Sequence, residues 1–154
     1  MAQPEDRQTW DAFTSVLVWL PAALDDQLQR DAELTLFEYG VLSALSDAAE
    51  RTLRMSELAL VANASLSKLS RAVSRLERRG WVTRAPDPAD GRYTLATLSD
   101  AGLDKAVDAT PGHVDAVNRL FFDQLTQTQA RQLRQISNRI LRAVQAEGGR
   151  PPQP

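Results

Sequence analysis

Cysteine is missing from all 154 residues. Its absence excludes disulfides, thiolate nucleophiles and thiol redox sensing together. Histidine occurs once, at His113. One imidazole is too few for a nitrogen-rich metal site, because zinc takes three or four Cys, His or carboxylate ligands. Long apolar runs are lacking too: "FTSVLVWLPAAL" falls short of the roughly 20 residues that a membrane helix needs. The residues before it, "MAQPEDRQTWD", hold one Arg against three acids, so the positive start of a signal peptide is not there. A cytoplasmic protein is expected, without membrane contact. No nucleophile–base pair, phosphate loop or metal cluster is visible, so neither enzymatic activity nor a cofactor is expected.

The chain has the length of one domain, and its 43% hydrophobic and 25% charged residues suit a packed core rather than disorder. Helical spacing of Trp10, Phe13, Leu17, Leu20, Leu24 and Leu28 predicts an amphipathic helix over about 7–30, kinked at Pro21. Thr35 and Glu38 form a capping box, with Leu34 and Tyr39 as its hydrophobic staple, and the helix they open reaches about Ser46. "RTLRM" reads as a short strand. Ser56 is expected to cap a brief helix, "ELALVA", and Asn63 to turn left-handed before a longer helix over 66–79 that Gly80 ends. "WVTRA" and "RYTLATL" read as strands joined by the turn formers of "PDPADG". Ser99 opens a further helix that Pro111-Gly112 is expected to break or bend. The capping box Thr126/Gln129 opens the last one, with Leu133, Ile136, Ile140, Leu141 and Val144 on one side. The tail 147–154, "EGGRPPQP", has the composition of a disordered end.

Charge is distributed unevenly. The whole chain has a net charge of −2, and a pI near 5.4. Yet "SLSKLSRAVSRLERRGW", residues 65–81, carries five basic side chains and one acid. From Ser65 to Arg92 the net charge is +4, which leaves −6 on the rest. On a helical wheel at about 100° per residue, Leu66, Leu69, Ala72, Val73 and Leu76 share a core arc. Lys68, Arg71, Arg75, Arg78 and Arg79 share an arc without an acid. Solvated helix faces usually mix signs, since opposite charges four residues apart stabilise them. An uncompensated basic face on an acidic body is the footprint of a polyanion site.

A short helix, a tight turn and a longer basic helix make a helix-turn-helix, whose second helix enters the major groove. Ser65, Ser67, Lys68, Ser70 and Arg71 occupy its first turns and Arg75 continues the face. Serine can bond phosphate or base edges, and Arg makes the bidentate contact to guanine. The following hairpin is a wing carrying Arg92, a side chain suited to a narrow minor groove.

The stretch "LSRAVSRLERRGWVTRAPDPADGRYTLATLSDAGL" resembles the MarR family of winged-helix transcription regulators. The resemblance rests on "LERRGWV" and on Asp90, Arg92, Leu98, Ser99 and Gly102, where the family shows Asp-x-Arg and then Leu-Thr-x-x-Gly. It implies a mainly α fold with a small β wing: a winged helix-turn-helix over 35–98, flanked by dimerisation helices at 7–34 and 99–146. It also implies that Arg92 enters the minor groove and that Asp90 helps to hold it. The implied function is a dimeric regulator, a repressor, that binds a pseudo-palindromic operator in double-stranded DNA. Release by a small aromatic or phenolic ligand is implied too, with Trp10, Phe13, Trp19 and Tyr39 as lining candidates. The alternative from another class is a winged-helix module that binds an acidic protein surface with the same basic face.

Overall fold

The computed structural model describes residues 3–148. The expected tail therefore lies, beyond Gly148, outside the described residues. Helix α1 (Pro4–Ala32) starts with proline in its first turn, where the missing N–H costs nothing, and ends at Glu33 in the left-handed region (φ 53°). It runs through Pro21 without stopping. Helix α2 (Leu36–Asp47) opens on the expected box, with Glu38 N donating to Thr35 Oγ1 and Thr35 N to Glu38 Oε2, each at 3.0 Å. Strand β1 (Thr52–Arg54) leads directly into α3 (Met55–Val61). Arg54, not Ser56, occupies the cap position: its backbone N–H donates to Glu57 Oε2, and buried Met55 already belongs to the helix. Asn63 turns left-handed as expected (φ 50°) and leads to α4 (Leu66–Arg78).

Strands β2 (Val82–Asp87) and β3 (Asp90–Leu98) form an antiparallel hairpin, and β1 pairs on the far side of β3, giving the order β1-β3-β2. Helix α5 (Asp100–Leu120) begins at Ser99, whose Oγ accepts from Gly102 N. Ser99 Oγ also donates to Gly80 O at 2.7 Å, which fixes the start of α5 against the base of the wing. Gly102 is required there because a Cβ would collide with the Trp81 carbonyl. Helix α6 (Gln127–Ala146) opens on the Thr126/Gln129 box.

Pro111-Gly112 does not interrupt α5. Pro111 is exposed, so water can satisfy the carbonyl its ring leaves unpaired. Gly112 instead allows close packing: a Cβ would lie 3.3 Å from Gln27 Nε2 of α1.

One core joins these elements. Leu28 and Leu34 from the α1–α2 corner meet Val41, Leu42 and Leu45 of α2, Leu58 of α3, and Leu69, Val73 and Leu76 of α4. Val82 and Ala96 close it from the sheet, and Ala106 and Ala109 from α5. Leu66 is not part of it, contrary to the wheel: it is 54% exposed. None of the residues of α6 is buried, and Val16, Leu17, Val18 and Trp19 of α1 are exposed too.

Candidate nucleic-acid interface

Ser65 starts the basic helix by accepting a hydrogen bond from Lys68 N at 3.2 Å, and the residue itself is buried. Capping thus engages its hydroxyl. From there α4 presents Ser67, Lys68 and Arg71 to solvent, while Ser70 is half-buried. Lys68 Nζ lies 4.5 Å above the Phe37 ring, a cation–π contact that steadies its stem.

The basic arc is not the uncompensated cluster that the wheel suggested. Arg75 Nε donates to Glu38 Oε1 at 2.7 Å. Arg79 Nη1 bonds the Glu33 carbonyl at 2.6 Å, and its guanidinium lies over Trp81. Both tie α4 to the corner between α1 and α2. Arg84 of β2 bonds Glu77 Oε2 and Ser74 Oγ, which ties α4 to the wing. Arg71 and Arg78 make no ion pair among the described residues. The cations thus sort into anchors and open heads. The sort is invisible in the sequence because Glu38 lies 37 residues from Arg75.

Burial pushes the Glu38 carboxyl up, but the hydrogen bonds from Arg75 and from the Thr35 backbone, with the Arg75 charge, bring it below its ordinary 4.5. The Arg84 hydrogen bond lowers Glu77 likewise.

At the tip of the hairpin Arg92 grips Asp90 in a fork, Nε to Oδ1 at 2.9 Å and Nη2 to Oδ2 at 2.6 Å, while its side chain stays 84% exposed. Such a fork fixes the direction of the guanidinium and leaves its outer edge open. The arginine's hydrogen bonds lower the Asp90 pKa.

A second arginine, Arg54, holds the wing without any signal in the local sequence. Its Nε and Nη2 reach Asp87 Oδ2 at 2.8 and 2.7 Å, and its guanidinium lies 4.3 Å from the centre of the Tyr93 ring. Asp87 is buried, and its other oxygen accepts from Ala89 N in the turn. That turn hydrogen bond, followed by the Arg54 pairing, outweighs desolvation and lowers the Asp87 carboxyl. Arg54 therefore holds the wing to the start of α3. The available signal was the Asp87-Pro88 turn, but its partner is 33 residues away.

The four aromatic candidates do not meet. Phe13 and Trp19 line an apolar groove of about 1130 Å³ between α1, the end of α5 and α6, with Leu120, Phe121, Phe122 and Leu133. Trp10 is exposed and does not line that groove. Tyr39 lies elsewhere: its Oη is 3.1 Å from Thr110 Oγ1, and its ring is 4.6 Å from that of His113. At this junction of α1, α2 and α5, Gln27 Oε1 and His113 Nδ1 are buried without a protein partner among the described residues. Burial lowers the His113 pKa. No cluster of three or more metal-ligating side chains occurs, and no helix is long and apolar enough to cross a membrane, both among the described residues.

Residues 33–92 match the profile of the MarR family. The fold superposes with a TM-score of 0.91 on Sco3205, a MarR family transcriptional regulator from Streptomyces coelicolor solved in complex with DNA. The two are 39% identical, with 94% of this chain and 91% of that one covered. AbsC, a MarR family regulator from the same organism, gives a TM-score of 0.90 at 28% identity, covering 95% and 98%. The HTH-type transcriptional repressor IacR of Pseudomonas putida is 29% identical over 119 residues, 77% of this chain and 67% of its own length.

Proposed function

The chain belongs to the MarR family of transcription regulators, and on that premise we propose that it binds a pseudo-palindromic operator in double-stranded DNA as a homodimer. Helix α4 enters the major groove with Ser67, Lys68 and Arg71 towards base edges and phosphates, and Ser70 at its margin. Arg92, aimed by Asp90, enters the adjacent minor groove. Arg75 serves first as an anchor to Glu38, and Ser65 as the cap that orders the first turn. The observation that carries this reading is the sorting of cations. Arg75, Arg79 and Arg84 bond groups on other elements of the chain, whereas Arg71 and Arg78 make no ion pair among the described residues and Arg92, paired only with Asp90 of its own strand, stays 84% exposed.

The salt dependence of binding tests it. With about four phosphates neutralised per subunit, log K should fall against log[salt] with a slope near −7. A slope close to zero on selected and random DNA alike would sink the DNA reading and favour an acidic protein partner instead.

Residues 35–98 act as the reading head, and the helices at 7–34 and 99–146 as the dimer clamp. Support comes from the exposed apolar side chains of α1 and α6 and from the groove between them, more open apolar surface than a monomer usually carries. We read the regulator as a repressor released by a small aromatic or phenolic ligand. The Tyr39–His113 junction supports this, since Gln27 Oε1, a buried acceptor without a partner there among the described residues, could take the hydrogen bond of a phenolic O–H, with His113 Nδ1 beside it. Phe13 and Trp19 belong to the clamp in this reading, and Trp10 remains at its margin. A ligand of this class should raise the melting temperature and release DNA together.

A further inference from the structure

Leu66 is the first residue of α4, and it is 54% exposed while Leu69, Val73 and Leu76 on the same helix are fully buried. It lines a cleft of about 260 Å³ between the first turn of α4, the start of α3 and the wing, shared with Met55, Ser56, Ser70, Arg84, Arg92 and Tyr93. A single exposed leucine is ordinary on a protein surface. This one is set apart by its place, between the helix face that carries Ser67 and Arg71 and the wing that carries Arg92. The N-terminal residues of such a helix are those that meet base edges. A leucine has no hydrogen bond to offer them, and the apolar group that base edges present in the major groove is the C5-methyl of thymine. We propose that Leu66 is a specificity residue that packs on a thymine methyl at the wing-side edge of each half-site. This rests on the DNA reading given above. It adds a chemical identity at a position that the charged residues cannot specify.

Burying one methyl group is worth about fourfold in affinity, the equivalent of about 0.8 kcal/mol per buried carbon. The test uses the full chain and the operator it selects from a random DNA pool. Each thymine is replaced in turn by deoxyuridine, which removes the methyl and keeps the pairing edge. One thymine per half-site, towards the wing, should cost about fourfold when demethylated. Leu66→Ala should bind the thymine and deoxyuridine versions of that site equally, yet remain sensitive to changes at guanines. Leu66→Met, which keeps an apolar side chain of similar size, should retain the methyl preference. An unchanged melting temperature would show that neither substitution disturbs folding. The proposal is overturned if no deoxyuridine substitution weakens binding, or if the selected half-site has no thymine at that edge. It is equally overturned if Leu66→Ala still loses fourfold, or if it weakens binding to every DNA alike. A chain that selects no DNA at all removes both this proposal and the reading beneath it; a chain that selects DNA without methyl sensitivity removes this one alone.

Discussion

Helices α4 and α6 are both amphipathic, yet Leu69, Ala72, Val73 and Leu76 of the first are completely buried while no residue of the second is. Their sequence patterns are similar in kind, with apolar residues three and four apart and arginines between them. The difference lies in what surrounds them. Helix α4 is enclosed by α2, α3 and the sheet of its own chain, whereas Ile136, Ile140, Leu141 and Val144 of α6 face outwards. Burial is therefore a property of the environment and cannot be read from a helix's own pattern. The dimer reading proposed above assigns the uncovered apolar side of α6 to contact with a second chain.

The largest expected effect comes from breaking that contrast. Ile136→Glu with Ile140→Glu places two carboxylates on the uncovered stripe and leaves every proposed DNA contact intact. Both positions are exposed in the single chain, so the reading head should stay folded. Dimerisation should fail, which sedimentation would report. Loss of the linked second head should remove most of the preference for a full operator over a half-site, an advantage of about 10²–10⁴-fold. A double variant that remained dimeric with that preference would place the clamp elsewhere.

The same contrast explains what was legible in the sequence. Local signals were read well: the Thr35/Glu38 and Thr126/Gln129 boxes, the left-handed Asn63 and the Ser99 start all stand in the structure. Each depends on atoms a few residues apart. The Ser56 cap is the local exception, displaced to Arg54 because Met55 already belongs to α3; the other misreadings depend on packing at a distance. Pro111-Gly112 is expected to break or bend α5, and the helix is not broken; Gly112 serves contact with Gln27 of α1. Leu66 fits the core arc of the wheel, but more than half of it stays exposed. Arg75 looked like part of an open basic face until Glu38 was brought beside it. Of the candidate site, the exposed heads were legible and the pairing that separates them from the anchors was not.

A smaller effect should distinguish two arginines within the reading head. Arg71→Ala removes an open guanidinium from α4, so it should cost about 1–3 kcal/mol per half-site and relax preference at one base pair. Arg54→Ala removes no proposed base contact. It frees the wing by breaking the pairing with Asp87, so its loss should appear mainly on sites with narrow A·T-rich flanks, as for Arg92→Ala. Combined with Arg92→Ala it should add little, because both act through the same wing. Titrations on operators differing only in the flanks would check this. Additive losses on all of them would mean that Arg54 meets the DNA backbone itself.

The smallest effect concerns an anchor and should appear in stability. Glu38→Gln keeps a side chain that can still cap α2, but removes the charge that Arg75 meets at 2.7 Å. A hydrogen bond to a charged group contributes about 1.5–3 kcal/mol. The Arg75 side chain is 45% exposed, so solvent screening should bring the loss towards the lower end of that range. The Glu38 carboxyl lies below its ordinary 4.5 in the folded protein, so the folded state binds protons less readily than the unfolded chain. Its contribution is therefore complete above about pH 4.5 and fades as pH falls through the lower folded value. Chemical denaturation of both proteins between neutral and acid pH should show a gap that is constant at first and then closes. The variant should retain its base preference throughout, because the open arginines are unchanged. A gap that persisted unaltered in acid would mean that Glu38 acts through packing and capping, with the Arg75 charge contributing nothing.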